Sequence, residues 1–251
     1  TRVNRPNAVV LVDADDWQGA VSAAVLAGRP IGAPLLISDD GDLPAVTADT
    51  LERLEPRGSD LSEDAQVIRI GDEPAQPDGY RTARIEGPDP YERAAAIDRF
   101  VSAVRGGPSR NVVVVSGEHP EHAMPAAAWA ARSGDSVLLT QPKRLPAATR
   151  KAIATHDRPN IYVLGPPSTV SAAVVAELRK LGPVQRIGAR DPVANAIAFA
   201  RYEDGEFGWG ATVPGYNFTV ANVGRPLDAA PAATLATRGV FAPLLLTDDA
   251  A

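Results

Sequence analysis

The chain has no cysteine, few aromatic residues and no long apolar run. Its 251 residues include no Cys, and Phe, Trp and Tyr together make up 5%. Disulfides and thiol chemistry are therefore excluded, and the core has to be built from Ala, Val, Leu and Ile. No apolar run approaches the roughly 20 residues that a membrane span needs. The chain does not open with a basic stretch followed by an apolar one, so we expect no signal peptide in it.

The charge balance and the absence of three well-known nucleotide-binding or catalytic motifs reduce the number of possible functions. The net charge of -6 at pH 7 argues against general nucleic-acid binding. Only three lysines occur, so most cationic groups are arginine guanidinium groups. Their paired N–H donors suit the binding of carboxylates or phosphates. The sequence contains no G-x-G-x-x-G after a strand, no G-x-x-x-x-G-K-[ST] and no G-x-S-x-G. It therefore predicts no cofactor, and none of these catalytic signatures is present.

One short apolar run that ends in a hydroxyl residue occurs three times. The copies are residues 35–38, 137–140 and 244–247, which read LLIS, VLLT and LLLT. Each follows an alanine-rich stretch, and such recurrence within one chain indicates an internal repeat. The alanine-rich stretches are residues 20–27, 123–131 and 229–236.

Other matched positions share one offset of 102 residues (145 minus 43). The pairs are Leu43-Pro44 with Leu145-Pro146, Arg84-Ile85 with Arg186-Ile187, and Asp89-Pro90 with Asp191-Pro192. We predict a first repeat over 1–82 without the opening motif, a complete second repeat over 83–184, and a third repeat over 185–251 without the closing half. Either the segment comes from a longer protein, or its two ends complete one another in space.

Strands alternate with helices inside each repeat, which predicts parallel strands with right-handed crossovers. Each repeat is then a small α/β layer fold with its own core, and one long continuous sheet is the alternative. A helix is predicted over 168–181 with Ser168 as its cap. Residues 203–217, which include Trp209, are predicted to be a surface insertion.

Three hydroxyl residues are candidate ligand contacts. Ser38, Thr140 and Thr247 end the recurring strands, and ligands of open parallel sheets bind outside the carboxyl ends of the strands. The alternative is that each hydroxyl caps the turn that follows it.

Two arginines form the second candidate set. Arg84 and Arg186 each precede a helix start, where an arginine can join backbone N–H groups in holding an anion. The alternative is an exposed arginine that pairs with a nearby acid. Asp89 and Asp191 are predicted to be helix caps, because each is followed by proline at the first helical position.

The histidines at 119 and 122 form the one His-rich stretch. A pair of histidines can bind zinc, but they usually lie one helical turn apart, and Pro120 is expected to interrupt a helix here. We therefore predict a solvated turn and no metal site.

The repeated motifs resemble the cell-wall-binding repeat 2 family of Gram-positive surface proteins. The alanine-rich helix and the Leu-Leu-Thr strand are family motifs, and Asp228 matches the family's helix aspartate, whereas Gly19 and His122 replace it in the other copies. The family's opening motif matches Arg84-Ile85, Gly87, Asp89, Tyr91 and Ala94, and its last motif matches Leu164-Gly165 with Val170-Ser171.

This resemblance implies three Rossmann-like lobes about a pseudo-threefold axis and an extracellular location at the cell wall. It implies non-covalent anchoring to an anionic wall polymer without catalysis, and an effector domain linked to this segment. Neither nucleic-acid binding nor membrane insertion is implied. The expected polymer contacts, near the Leu-Leu-Thr strands and adjacent basic residues, are Ser38, Arg84, Tyr91, Thr140, Arg186 and Thr247.

Two other functions stay open at this point. An α/β enzyme acting on a sugar or nucleotide would need a convergent polar cluster, for which His119 and His122 are the candidates. A self-associating surface-layer module is the other.

The expected polymer binding has two physical requirements. Three weak sites that face a repeating polymer would bind it more tightly together than each does alone, which is avidity. Because the net charge is -6, an anionic ligand would require local arginine clusters or a bridging cation.

Overall fold

The computed structural model describes residues 5–71, 73–237 and 242–248. These residues form two four-stranded parallel sheets, a separate two-stranded parallel sheet and a short antiparallel hairpin. The predicted α/β class with parallel strands is therefore confirmed, and the alternative of one continuous sheet is wrong. Within the described part of the chain, every helix is too short or too polar to cross a bilayer.

The first sheet has the strand order β2-β1-β3-β4. Its central strand β1 reads Val-Val-Leu-Val-Asp and is buried on both faces, as is usual for a parallel sheet covered by helices. The elements of this first unit are β1 (Val9–Asp13), α1 (Trp17–Ala23), a 3₁₀ turn (Ala24–Ala27), β2 (Leu35–Ser38), α2 (Ala45–Leu54), β3 (Val67–Ile70) and β4 (Thr82–Ile85).

The second unit repeats this order, with its four strands arranged as β6-β5-β7-β8. Its elements are α3 (Pro90–Arg105), β5 (Asn111–Ser116), α4 (Pro120–Ala123), α5 (Pro125–Ser133), β6 (Ser136–Thr140), α6 (Ala147–Ala154), β7 (Asn160–Leu164), α7 (Ala172–Leu178) and β8 (Val184–Ile187).

In the third unit, β11 pairs with β12 in parallel, and β9 pairs with β10 in the short antiparallel hairpin. The repeat boundaries at 1–82, 83–184 and 185–251 remain predictions. The elements of the unit are α8 (Pro192–Arg201), β9 (Glu203–Asp204), β10 (Phe207–Gly208), β11 (Thr219–Asn222), α9 (Ala229–Ala233) and β12 (Leu244–Thr247).

The two predicted aspartate caps are confirmed. The Asp89 carboxylate accepts a hydrogen bond from the Glu92 backbone N–H at 2.7 Å, and helix α3 begins at the next residue. The Asp191 carboxylate accepts from the Ala194 N–H at 2.9 Å at the start of α8. Both caps satisfy backbone donors that the first helical turn leaves without a partner.

Three alanine-rich helices join the units. We call α1 with its 3₁₀ turn, α5 and α9 the alanine helices. Each contacts the other two, and the buried core runs without a break through all three units. At Gly28, a Cβ atom would lie 2.5 Å from the Ala131 carbonyl oxygen, so the backbones of the first two alanine helices nearly touch. Side chains no larger than alanine permit this approach. The pseudo-threefold axis itself remains a prediction.

The helix predicted over 168–181 begins later than expected. Its cap is Ser171, whose hydroxyl accepts a hydrogen bond from the Val174 N–H, and not Ser168. The preceding residues form a turn of their own, in which the Thr169 N–H and hydroxyl both donate to the Pro166 carbonyl at 3.1 and 3.0 Å. This turn occupies the chain where the first helical turn was predicted.

The predicted surface insertion at 203–217 is wrong for two of its residues. Phe207 is 0% exposed, and its ring stacks on Tyr162 with a centroid distance of 3.5 Å. Trp209 is also buried and meets Trp129 edge-to-face at 5.4 Å. The β9–β10 hairpin folds back onto the second unit, so much of the scarce aromatic area is buried in one cluster.

A buried ion pair links α3 to the loop after α6. His156 Nε2 lies 2.9 Å from Asp98 Oδ1, and Nδ1 lies 2.8 Å from the Ser109 carbonyl oxygen. Since both ring nitrogens face acceptors, the imidazole satisfies both only as the doubly protonated cation. Burial alone would lower the pKa of His156, but the hydrogen bond and charge of Asp98 outweigh it and raise the pKa above its ordinary value.

This pair predicts a stability loss at alkaline pH. The folded pKa of His156 exceeds the unfolded value of about 6.5, so the pair stabilises fully below that value and loses its contribution as pH rises through the folded pKa. Urea unfolding from about pH 6 to about pH 9 should show this fall in the wild type. His156→Gln should lose about 3 kcal/mol at the lower pH and show a flatter profile. Parallel profiles for the two proteins would contradict the assignment.

Candidate binding site

The carboxyl ends of the first sheet carry a strongly acidic cavity. The loops after β1, β2 and β3 enclose about 310 Å³ together with the start of α3. Arg93 offsets part of the charge, since its Nε lies 3.2 Å from Asp16 Oδ2 and both side chains are nearly buried. An anionic ligand would meet net repulsion here. The charged residues that line the cavity are Asp13, Asp15, Asp16, Asp40, Glu73 and Arg93.

Ser38 lies at this strand end, as predicted, but its hydroxyl is already engaged. The side chain is 0% exposed, and its Oγ donates to Asp13 Oδ2 at 3.4 Å. The same oxygen accepts from the Ala75 N–H at 3.5 Å. Ser38 therefore ties together the loops after β1 and β3.

Thr140 has the corresponding place in the second unit. It is 0% exposed, and its Oγ1 lies 3.1 Å from the carbonyl oxygens of both Gln141 and Arg144. The hydroxyl closes the turn after β6, as the capping alternative expects. A ligand would reach the residues around this turn before it reached Thr140.

Four polar side chains surround that turn, and we call them the strand-end cluster: Tyr91, Glu118, Gln141 and Arg144. Arg144 Nε donates to Gln141 Oε1 at 2.8 Å, and the Tyr91 hydroxyl faces the Gln141 side chain. Burial, followed by the charge of Glu118, raises the pKa of Tyr91, so its hydroxyl stays protonated at neutral pH. The cluster offers donors and acceptors beside one half-buried aromatic ring.

The Tyr91 ring lies against Gly117. A Cβ atom at Gly117 would come within 3.0 Å of Tyr91 Cε1, so the glycine makes room for the ring. Gln18 of the first unit donates from Nε2 to the Gly117 carbonyl at 3.2 Å. These contacts brace the strand-end cluster from the neighbouring unit. Sequence reasoning singled out Tyr91 and Thr140 but could not place them together.

Thr247 ends β12 in the third unit. Its carbonyl accepts a hydrogen bond from the Val223 N–H at 2.9 Å. Ser38, Thr140 and Thr247 therefore occupy equivalent strand ends in three separate sheets. Their role in binding a polymer remains a prediction.

The two recurring arginines hold the same turn in the first and second units. Arg84 Nε donates to the Gly71 carbonyl at 3.2 Å, and Arg186 Nη1 donates to the Gly165 carbonyl at 2.6 Å. Both glycines have positive φ, 115° and 122°, which an L side chain rarely adopts. The repeated Arg-Ile motif thus fastens a repeated glycine turn.

Arg186 is engaged further, because its Nη2 donates to the Val170 carbonyl at 2.6 Å. Burial, followed by the nearby charge of Arg179, lowers the pKa of Arg186 from its ordinary value. In the first unit, Arg84 Nε also lies 3.3 Å from Glu86 Oε2, as the ion-pair alternative expects. Whether either arginine also contacts a ligand remains a prediction.

The His-rich stretch differs from the predicted solvated turn. Pro120 begins helix α4 and does not interrupt a helix, because the first helical turn needs no N–H from that residue. His122 is buried, and Glu121 Oε1 lies 3.2 Å from His119 Nδ1 and 3.4 Å from His122 Nδ1. Burial favours a higher pKa for Glu121, but its backbone and histidine hydrogen bonds lower it overall. Among the described residues, no three His, Cys, Asp or Glu side chains are grouped to hold a metal ion.

Removing the Arg186 guanidinium group should destabilise the fold. Arg186→Met leaves two carbonyl oxygens without donors, so we expect the free energy of unfolding to fall by about 2–3 kcal/mol in urea titration. Arg190→Met, at an exposed loop position, is the matched control and should stay within about 0.5 kcal/mol. Unchanged stability of Arg186→Met would contradict the bracing role.

Comparisons with known proteins agree with the repeat motifs. Residues 84–175 match the family model described as cell wall binding domain 2. The amidase enhancer of Bacillus subtilis (strain 168) is 27% identical over 183 residues, which are 72% of this chain and 24% of that protein. The chain therefore spans about a quarter of the length of this relative.

Two solved structures from Clostridium difficile share the fold. Cwp8 matches with a TM-score of 0.77 and 25% identity over 98% of this chain and 41% of Cwp8. Cwp6 matches with a TM-score of 0.75 and 20% identity over 96% of this chain and 38% of Cwp6. The resemblance indicated by the repeated motifs is confirmed over residues 84–175, which match the family model of cell wall binding domain 2.

Proposed function

We propose that this chain is a non-covalent anchoring module that binds an anionic secondary polymer of the cell wall. The observation that carries the proposal is the match of residues 84–175 to cell wall binding domain 2. The first unit supports it, because it repeats the same strand order around an equivalent sheet. Repeated units on one body suit a repeating polymer, since several weak contacts add up to avidity.

The repeated architecture supports a role in ligand binding more than a role in catalysis. An enzyme of this fold would concentrate its chemistry in one unit, and the His119–His122 stretch is the candidate. There, Glu121 bridges both histidines, and the backbone carbonyl of buried His122 faces Asn195 of α8 at 3.5 Å. These contacts brace α4 against the third unit. We therefore propose a binding module and not an enzyme.

The strand-end cluster is the proposed polymer contact in the second unit. Tyr91 supplies an aromatic ring and a hydroxyl, and the side chains of Glu118 and Arg144 are exposed beside it. Sugar hydroxyls can exchange hydrogen bonds with such a mixed set of donors and acceptors. Ser38 and Thr140 would act through the loops that they hold, because both are buried.

The location and the partner domain follow from the same proposal. We propose that the chain acts outside the cell, at the wall, linked to an effector domain that it holds there. The relatives are longer than this chain, since it covers 24% of the amidase enhancer and 41% of Cwp8.

Sedimentation with purified Gram-positive cell walls tests the proposal. We expect the wild type to pellet with the walls and to be released by soluble wall polysaccharide. Tyr91→Phe should weaken binding about fivefold, as the loss of one hydrogen bond of about 1 kcal/mol predicts. Tyr202→Phe is the matched control, because it also removes a hydroxyl with one side-chain partner, Asp204 at 3.2 Å.

Three outcomes would contradict the proposal. The wild type could stay in the supernatant while a known wall-binding protein pellets. Soluble sugar could appear in proportion to the protein added, which would indicate an enzyme. Binding could also depend on concentration-driven self-association, seen by light scattering, which would indicate a surface-layer module.

A further inference from the structure

The amino ends of the strands carry the opposite charge to the acidic cavity. A cleft of about 740 Å³ lies there, where the carboxyl ends of the alanine helices converge. Arg5 and Arg29 of the first unit and Arg132 of the second line it, and Thr234 and Thr237 of the third face them. No carboxylate is among the described residues that line this arginine cleft.

The arginines of the arginine cleft lie at the surface. All three arginines are exposed, and Arg29 makes no side-chain hydrogen bond or ion pair with the described part of the chain. Arg5 Nε donates to the Glu55 carbonyl at 2.6 Å and lies 3.4 Å from Glu55 Oε2. That pair is exposed on both sides, so it contributes little and a ligand anion can compete with it.

A second cavity extends the positive surface beyond Arg132. It encloses about 670 Å³ and adds Arg105 and Arg110 to the lining. Arg105 already donates to the carbonyls that end α5, whereas the side chain of Arg110 is exposed and makes no bond within the described residues. Of the two acids here, Asp135 is buried and accepts a hydrogen bond from Trp129, and Glu206 is exposed.

One electrostatic effect opposes anion binding at this end. The carbonyls at the ends of the alanine helices carry partial negative charge toward the cleft. That effect amounts to about half a charge per helix end and fades within a turn, whereas three full charges line the cleft. At the carboxyl ends of the first sheet, by contrast, five carboxylates face one guanidinium. An anionic chain is therefore repelled from the acidic cavity of the first sheet and attracted to the arginine cleft.

We infer that the arginine cleft holds the anionic groups, phosphates or carboxylates, of the bound polymer. Guanidinium forks bind either group through paired hydrogen bonds. Because the cleft is lined by all three units, a polymer seated there would contact each of them at once. The identity of the natural polymer rests on the proposed function, but the anion site itself does not, because defined polyanions can probe it.

The test compares two double variants that remove the same charge. The cleft variant combines Arg29→Gln with Arg132→Gln and so removes two guanidinium groups from the lining of the arginine cleft. Arg190→Gln with Arg201→Gln is the matched control, since it also removes one exposed loop arginine and one arginine from the last turn of a helix. Binding of inorganic polyphosphate, poly-glutamate and neutral dextran is measured by calorimetry at low salt, and wall binding by sedimentation.

We expect the wild type to bind at least one polyanion but not dextran, and the cleft variant to bind it about tenfold more weakly. The control should stay within about twofold of the wild type. Whether polyphosphate or poly-glutamate binds better distinguishes phosphate from carboxylate. Arg29→Lys with Arg132→Lys keeps the charge and should retain part of the binding, which separates lost charge from lost folding.

Equal weakening in the cleft and control variants would overturn the inference, because it would indicate diffuse attraction. Unchanged polyanion or wall binding in a folded cleft variant would overturn it as well, while leaving the proposed function intact. The protein could also bind polyanions through the arginine cleft but fail to bind walls. That result would support the anion site and refute the proposed function.

Discussion

The close packing of the three alanine helices is the constraint on which the rest of the structure depends. Each unit presents a helix of small side chains to the other two, and at Gly28 the chain approaches the Ala131 carbonyl so closely that no side chain fits. Larger residues would force these helices apart. The recurring alanine stretch therefore does more than favour helix, because it allows three small units to share one core.

The same packing produces the charge asymmetry of the molecule. When the alanine helices meet, their carboxyl ends gather Arg29 and Arg132 at one end of the sheets. The loops after the strands carry the carboxylates of the first sheet to the opposite end. A net charge of -6 is therefore compatible with binding an anionic polymer, because the charges are separated in space.

Features encoded in local sequence were predictable, and long-range contacts were not. The Asp89 and Asp191 caps, the parallel strands and the recurring units follow from short motifs and spacing. The cleft arginines were not predicted, since Arg5 and Arg132 are brought together only by helix packing. Burial of Phe207 was also missed, because nothing near it in the sequence marks the surface onto which its hairpin folds.

Differential scanning calorimetry of the wild type and Gly28→Ala tests the shared core most directly. We predict one cooperative transition in both, with Gly28→Ala destabilised as a whole by about 1–3 kcal/mol, because its Cβ would meet the Ala131 carbonyl. Gly107→Ala, where nothing lies within 4 Å of the new Cβ, should leave the transition almost unchanged. Separate transitions for the units, or a Gly28→Ala protein as stable as the wild type, would contradict the account.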